Sequence, residues 1–149
     1  MPIGEICNRE VIFATRANTI TEAAELMRHH HVGDLVVVEE KSGQRVPVGM
    51  LTDRDLVIEI LAKNVTLGDV TVGDIMSVDL VAARETDGIY ETIQLMRAKG
   101  IRRLPVVNPR GGLEGIVSVD DLLELLAEEI SGLARLVSRE QQREKKTRP

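Results

Sequence analysis

Gly49-Met50-Leu51-Thr52-Asp53-Arg54-Asp55-Leu56 returns later in the chain as Gly115-Ile116-Val117-Ser118-Val119-Asp120-Asp121-Leu122. Both runs read glycine, two apolar residues, a hydroxyl, then an acid and leucine in the same order. Upstream, Leu26-Met27-Arg28 recurs as Leu95-Met96-Arg97, 69 residues on. The same spacing relates Gly4 to Gly73, Ile6 to Ile75, Ala14 to Ala83, Ile20 to Ile89, Leu35 to Leu104 and Val37-Val38 to Val106-Val107. The two quoted runs lie 66 residues apart, so the second copy is three residues shorter between helix and run. Self-similarity at a fixed period decides the architecture before any local pattern does. The chain is a tandem duplication, and two related units imply a pseudo-two-fold molecule with two related clefts.

Each copy carries its elements in one order. A short lead-in, Ile3 to Cys7 or Val72 to Met76, precedes an apolar stretch, Val11 to Ala14 or Leu80 to Ala83. Then Ile20, Ala23, Ala24 and Met27, or Ile89, Ile93 and Met96, fall on one face of a helix. Thr19 with Glu22 predicts a capping box, and Asp87 is the expected cap of the second copy's helix. Leu35 to Val38 and Leu104 to Val107 have buried-strand character, each followed by a turn and a further strand, Val48 to Leu51 or Leu113 to Val117. A final amphipathic helix carries Leu56, Val57, Ile60 and Leu61, or Leu122, Leu123 and Leu126. The unit is β-α-β-β-α, of the α/β (α+β) class. Two such units, each with one incomplete apolar face, bury those faces against one another with pseudo-two-fold symmetry. The expected organisation is a first repeat over 1–63, a linker over 64–70, a second repeat over 71–130, and a helical extension with a polar tail over 131–149. Ile130, Leu133, Leu136 and Val137 keep a helical stripe in that extension, suited either to packing on its own domain or to a contact with another subunit. From Ser138 onward the polar, basic-rich composition predicts fraying or disorder.

Composition removes several function classes. A hydrophobic fraction of 43% with 29% charged residues is that of an ordinary globular protein. Phe13 and Tyr90 are the only aromatics, so the core is aliphatic and base stacking is nearly unavailable. A net charge of −5 argues against a nucleic-acid backbone as partner. The single cysteine, Cys7, cannot form an internal disulfide, which fits a reducing compartment. Neither a secretory leader nor an apolar run long enough to span a membrane is present, and a cytoplasmic location is the expectation.

The pieces Val72-Gly-Asp-Ile-Met76, Ile101-Arg-Arg-Leu-Pro-Val-Val107 and the two quoted runs, in this order and twice over, resemble a tandem pair of CBS domains (the cystathionine-β-synthase regulatory domain), called a Bateman module. The resemblance covers Ile3 to about Glu128. It implies a stand-alone, non-catalytic module that binds adenosine-containing ligands (AMP, ADP, ATP, NAD(H) or S-adenosylmethionine) in clefts between its repeats. It also implies a homodimer that signals by changing shape, acting on a separate regulated protein that the sequence does not identify. The adenine nucleotide is then a regulatory ligand rather than a cofactor, with Mg2+ as an optional companion of its phosphates.

The candidate site has physical support beside the resemblance. Thr52 with Asp55, and Ser118 with Asp121, sit where a strand ends and a helix begins, where unpartnered N–H groups and the helix dipole favour an anion. A hydroxyl there can donate to a phosphate, while a carboxylate one turn inside suits a ribose diol. The same spacing also describes a plain capping box, which is the competing reading. In the family these positions match the phosphate- and ribose-contacting pair. Arg102 and Arg103, at the edge of the Leu104-Pro105 strand, are placed to clamp phosphates through charge-assisted bonds. Alternatively they form a surface pair with Asp34 or Glu114. The first copy has Gly33-Asp34 at the equivalent places, so the two clefts should differ. With Thr15 and Arg84 at the ends of the first strands, and Leu35, Arg54, Ile101 and Asp120 alongside, these residues complete the candidate set.

Other features carry less. His29-His30-His31 point about 100° apart on a helix end and do not converge on one tetrahedral ion. Asn108-Pro-Arg-Gly-Gly112 is a turn, lacking the Lys-Ser/Thr ending of a phosphate loop. Cys7 aligns with the apolar Met76 and reads as a buried thiol. Two competing classes stand beside the nucleotide module: a ligand-free dimerisation or adaptor domain regulating a partner, and a small enzyme, against which the missing catalytic constellation argues.

Overall fold

The apolar runs of the two copies form two three-stranded sheets in the computed structural model, which describes residues 1–148. In the first, β1 (Phe13–Ala14) lies parallel to β2 (Asp34–Lys41), and β2 runs antiparallel to β3 (Gln44–Thr52). The second sheet has β4 (Ala83–Arg84), β5 (Arg103–Val107) and β6 (Leu113–Ser118) in the same order. Phe13 registers with Val36 and Ala83 with Val106, equivalent pairings in the two copies. The connections between first and second strands are α1 (Ile20–His30) and α4 (Ile89–Lys99). After β3 comes a single turn, α2 (Asp53–Asp55), which continues as a π-helical stretch over Leu56–Leu61. A 3-10 turn, Leu67–Asp69, and the short α3 (Val72–Ile75) lead into the second copy, and α5 (Val119–Thr147) closes the chain. Two compact units are distinguished, Met1–Val117 and the segment from Ser118 onward.

Local chemistry explains these boundaries. Thr19 caps α1 through the expected reciprocal box: its hydroxyl accepts from the Glu22 N–H while the Glu22 carboxylate accepts from the Thr19 N–H, each at 3.0 Å. Donation to the Glu22 carboxylate by the Thr19 backbone N–H first, and by the Thr19 side chain second, holds that carboxyl below its ordinary range. The second copy departs from expectation, because Gly88, not Asp87, caps α4. The Asp87 carboxylate instead accepts from the Arg84 N–H at 2.9 Å, closing the preceding turn. Asn18 does the same for Thr15 at 2.7 Å in the first copy. Both helices end on a left-handed residue, His31 (φ 54°) and Gly100 (φ 65°). His31 terminates α1.

Leu35, Val36 and Val37 are fully buried and Val38 nearly so, which places β2 with both faces covered. The core around it contains Ala23, Met27, Leu35, Val37 and Leu51 from the first copy, and also Val72 and Met76 from the lead-in of the second. That crossing is systematic. The backbone of Ile3 and Gly4 donates to Asp87 and Glu85 at 2.7 and 3.0 Å, while that of Val72 and Gly73 donates to Asn18 and Arg16 at 2.9 and 3.0 Å. Likewise Asn8 and Ile116 exchange two backbone bonds (2.8 and 2.9 Å), and Met50 and Ser77 exchange two (3.1 and 2.9 Å). Each copy thus lends its lead-in to the other copy, and the exchange is reciprocal to the residue. Cys7 sits in this joint, 8% exposed, and burial pushes its thiol pKa up while the nearby Arg9 pulls it down.

α5 runs unbroken for 29 residues to Thr147, past the point where the sequence suggested fraying. Its last turns are rich in Glu, Gln, Arg and Lys, which are strong intrinsic helix formers. Lys145 and Lys146 lie in the final turn, where positive charge suits the dipole. Among the described residues, no helix is long and apolar enough to cross a membrane.

Candidate functional site

The cavity that matters lies within Met1–Val117 and has a volume of about 460 Å³, inside the usual range for small-molecule sites. Both copies build it. From the first come Gly33 and Asp34 at the start of β2, Met50 and Thr52 on β3, and Asp53 and Arg54 on α2. From the second come Ser77, Asp79, Leu80 and Val81, which follow the exchanged lead-in, and Ile101, Arg102 and Arg103 at the start of β5. The Met50–Ser77 bridge pins the second copy's lead-in along the edge of β3, so the exchange creates this wall.

Thr52 and Asp55 form a full capping box. The Asp55 N–H donates to the Thr52 hydroxyl oxygen at 3.0 Å, and the Thr52 N–H donates to the Asp55 carboxylate at 2.9 Å. The Asp53 N–H donates to the Gly33 carbonyl at 2.9 Å. The Arg54 N–H donates to the Asp53 carboxylate at 2.8 Å, so the four N–H groups of Thr52, Asp53, Arg54 and Asp55 are all satisfied by the protein itself, and the unpartnered donors expected from sequence are not found among them. The Thr52 hydroxyl keeps its proton for donation, and the carboxylate keeps its remaining acceptor capacity. Ser118 and Asp121 repeat the box at the head of α5, at 2.9 and 3.1 Å.

Across the cavity, Arg103 donates to the Asp34 carboxylate at 2.9 Å. These two residues occupy equivalent positions in the two copies, so the ion pair marks the pseudo-two-fold axis. Asp34 is largely buried (11% of its side chain exposed) and Arg103 is at 42%. The lining thus alternates arginines with aspartates, includes the hydroxyls of Thr52 and Ser77, and presents an aliphatic surface from Met50, Leu80, Val81 and Ile101. It has no aromatic side chain; a flat ring entering it would be held between aliphatic groups. Such a lining can take a ligand with one apolar ring system and one polar, anion-bearing end.

The sequence matches the CBS domain over residues 3–62 and again over 72–128. The chain belongs to the CBS domain family. Two CBS domains in tandem make it a CBS pair, and known proteins share that arrangement. The uncharacterized protein MK0525 of Methanopyrus kandleri is 39% identical over 123 residues, which cover 83% of this chain and 61% of that relative, so the chain spans about three fifths of its length. The CBS domain-containing protein YhcV of Bacillus subtilis is 42% identical over 104 residues, 70% of either chain. Among solved structures, the CBS domain pair of protein MJ0100, crystallised in complex with 5′-methylthioadenosine and S-adenosyl-L-methionine, superposes with a TM-score of 0.74 at 26% identity, covering 87% of this chain and 98% of that one.

In this CBS pair, seven residues singled out from sequence meet in the cavity: Gly33, Asp34, Thr52, Arg54, Ile101, Arg102 and Arg103. Asp55, next after Arg54 on α2, is not among the lining residues, and its carboxylate accepts from the Thr52 backbone. Leu35 and Leu104 are fully buried and Pro105 nearly so, which makes them core rather than rim. Thr15 is exposed and bonded to Asn18, and Arg84 is exposed beside Asp87 at 3.6 Å, lining a separate small cavity with Glu85 and Val107. Ser118, Asp120 and Asp121 belong to the second unit, at the start of α5. Sequence reasoning did not single out Met50, Asp53, Ser77, Asp79, Leu80 and Val81. Their signal was indirect: glycines at the equivalent positions 49 and 115, where a strand must let another backbone come close.

Proposed function

We propose that this CBS pair is a non-catalytic regulatory module that binds an adenosyl compound of the adenine-nucleotide class in the cavity bounded by Thr52, Ser77 and Arg102. Occupancy is signalled through a homodimer to a separate protein. One observation carries the reading: a single cavity, walled by both repeats, joins an aliphatic slot to a polar end of three arginines, three aspartates and two hydroxyls. The adenosyl ligands of the MJ0100 pair support the same chemical class. In this reading adenine lies among Met50, Leu80, Val81 and Ile101, and the phosphates lie toward Arg102 and Arg103. The Asp55 carboxylate accepts from the ribose diol, with Asp121 proposed for the same role in the second repeat. Mg2+ enters only as the companion of a triphosphate. A ligand that contacts both repeats favours the arrangement in which it touches both, and only that difference in affinity can drive a signal.

A thermal-shift panel of AMP, ATP, NADH and S-adenosylmethionine tests the reading. A ligand at about 100 times its Kd adds about 2.7 kcal/mol, a rise in Tm of roughly 5–10 °C for a chain of this size. A flat response to all four compounds at millimolar concentration would favour the ligand-free adaptor instead. The Arg103–Asp34 pair is the observation on that side, since it already satisfies one arginine. Asp55→Asn separates capping from ribose binding. An amide oxygen can still accept from the Thr52 N–H, so stability should stay within about 0.5 kcal/mol. Affinity for adenosine should fall about tenfold with the lost charged acceptor. Unchanged affinity would return Asp55 to a capping role alone.

A further inference from the structure

α5 carries an apolar stripe that nothing in its own unit covers. Leu123, Leu126, Ile130, Leu133 and Val137 repeat at alternating three- and four-residue steps, and their exposures run from 43% to 67%. That is the heptad spacing of a two-helix seam, held over about 21 Å at 1.5 Å per residue. The weak helix formers Ser131 and Gly132 fall on positions turned away from the seam, and a Cβ at Gly132 would meet nothing within 4 Å. The charges of the same helix are sorted by end. Asp120, Asp121, Glu124, Glu128 and Glu129 precede Ile130 with no base among them; beyond it Arg135, Arg139, Arg143, Lys145 and Lys146 outnumber Glu140 and Glu144.

We propose that the occupant of this stripe is α5 of a second copy, running antiparallel. The inference rests on the homodimer in the reading above and specifies its contact. A parallel pair would set acidic half against acidic half, and would bring Glu140 and Glu144, which continue the heptad, against themselves in the seam. Antiparallel pairing lays the acidic half beside the basic half and opposes the two helix dipoles favourably. The register that keeps the middle of the seam apolar puts Ile130 level with Leu133 of the other copy and Leu126 level with Val137, and sets Leu123 level with Glu140 at either end. Ala127 and Ala134 then flank the seam and let the helices approach closely.

Disulfide trapping in the full chain tests both the contact and its direction. Leu126→Cys and Val137→Cys are made separately, each at an exposed position that folding does not need; the wild-type chain, with Cys7 buried, is the control. Mild oxidation of the two variants mixed should give a covalent dimer, and oxidation of either one alone should not. Adding Ile130→Lys and Leu133→Lys to both should abolish the cross-link while helix content and the nucleotide thermal shift persist. A covalent dimer from either variant alone means a parallel pair and overturns the proposal. No covalent dimer in the mixture overturns it as well. In that case a dimeric mass by light scattering leaves the homodimer standing on another surface, and a monomeric mass removes both.

Discussion

Gly115→Ala and Gly49→Ala should each cost about 2–4 kcal/mol of stability, the sum of overpacking and weakened backbone bonds. These glycines are equivalent in the two copies and sit where one copy's lead-in crosses the other's strand. A Cβ at Gly115 would lie 2.5 Å from the Cys7 sulfur and 2.8 Å from the Asn8 carbonyl oxygen. At Gly49 it would lie 2.6 Å from the Ser77 carbonyl oxygen and 2.9 Å from the Met76 sulfur. A flexible side chain could turn aside, but a carbonyl oxygen held in a bridge cannot. Asn8 exchanges two backbone bonds with Ile116, and Ser77 exchanges two with Met50, so any retreat stretches both. Gly132→Ala is the contrasting variant. Its site is open and helical, and the substitution should stabilise the chain by up to about 1 kcal/mol. Urea denaturation of the three variants reads the difference as a shift in midpoint. If Gly49→Ala and Gly115→Ala unfold with the wild type, the exchange does not hold the two copies together. Gly49→Ala should also weaken ligand binding more than Gly115→Ala, since Met50 and Ser77 line the cavity.

The reach of the sequence is best seen at these joints. The 69-residue spacing made the duplication plain, and the valine run Val36 to Val38, apolar without alternation, marked a strand buried on both faces. Thr19 with Glu22 gave the cap of α1 because a capping box is local, with all its partners within four residues. The exchange of lead-ins was not legible. A backbone bridge such as Asn8 to Ile116 joins residues far apart in sequence through main-chain groups, so side-chain pattern carries no trace of it beyond the glycines at 49 and 115. The cavity was half legible for the same reason. Thr52, Arg54 and Arg102 announced themselves by type and place, whereas Ser77, Asp79, Leu80 and Val81 became walls only through the exchange. Asp87 misled because an aspartate before a helix serves equally as a cap or as the close of the preceding turn. The Arg103–Asp34 pair was open to reading as one of two alternatives. Opposite charges at equivalent positions of a two-fold pair are the ones that can meet at its axis.

That axis pair controls the second large effect. With ATP in the cavity as proposed, Arg103→Ala should lower ATP affinity about 10–100-fold, the worth of a charge-assisted bond to a phosphate. Adenosine affinity should change less than about threefold. The loss has two sources. One is the missing donor; the other is Asp34, 11% exposed, whose carboxylate would face the phosphates without compensation. Asp34→Asn has the opposite sign. It leaves Arg103 only a neutral, weaker acceptor and removes a negative charge from the cavity, so ATP affinity should rise about 5–10-fold, given an effective dielectric near 20 and screening by salt. Stability should respond the other way round in size. Arg103→Ala strands a nearly buried carboxylate and costs about 1–3 kcal/mol, whereas an asparagine at 34 still accepts from Arg103 and costs less. Calorimetric titration of ATP and adenosine into both variants and the wild type resolves these terms. Equal losses for the two ligands in Arg103→Ala would place Arg103 away from the phosphates. A fall in ATP affinity in Asp34→Asn would mean that Asp34 holds the arginine in its working position rather than competing for it, because the only change then left to act is the loss of that anchor.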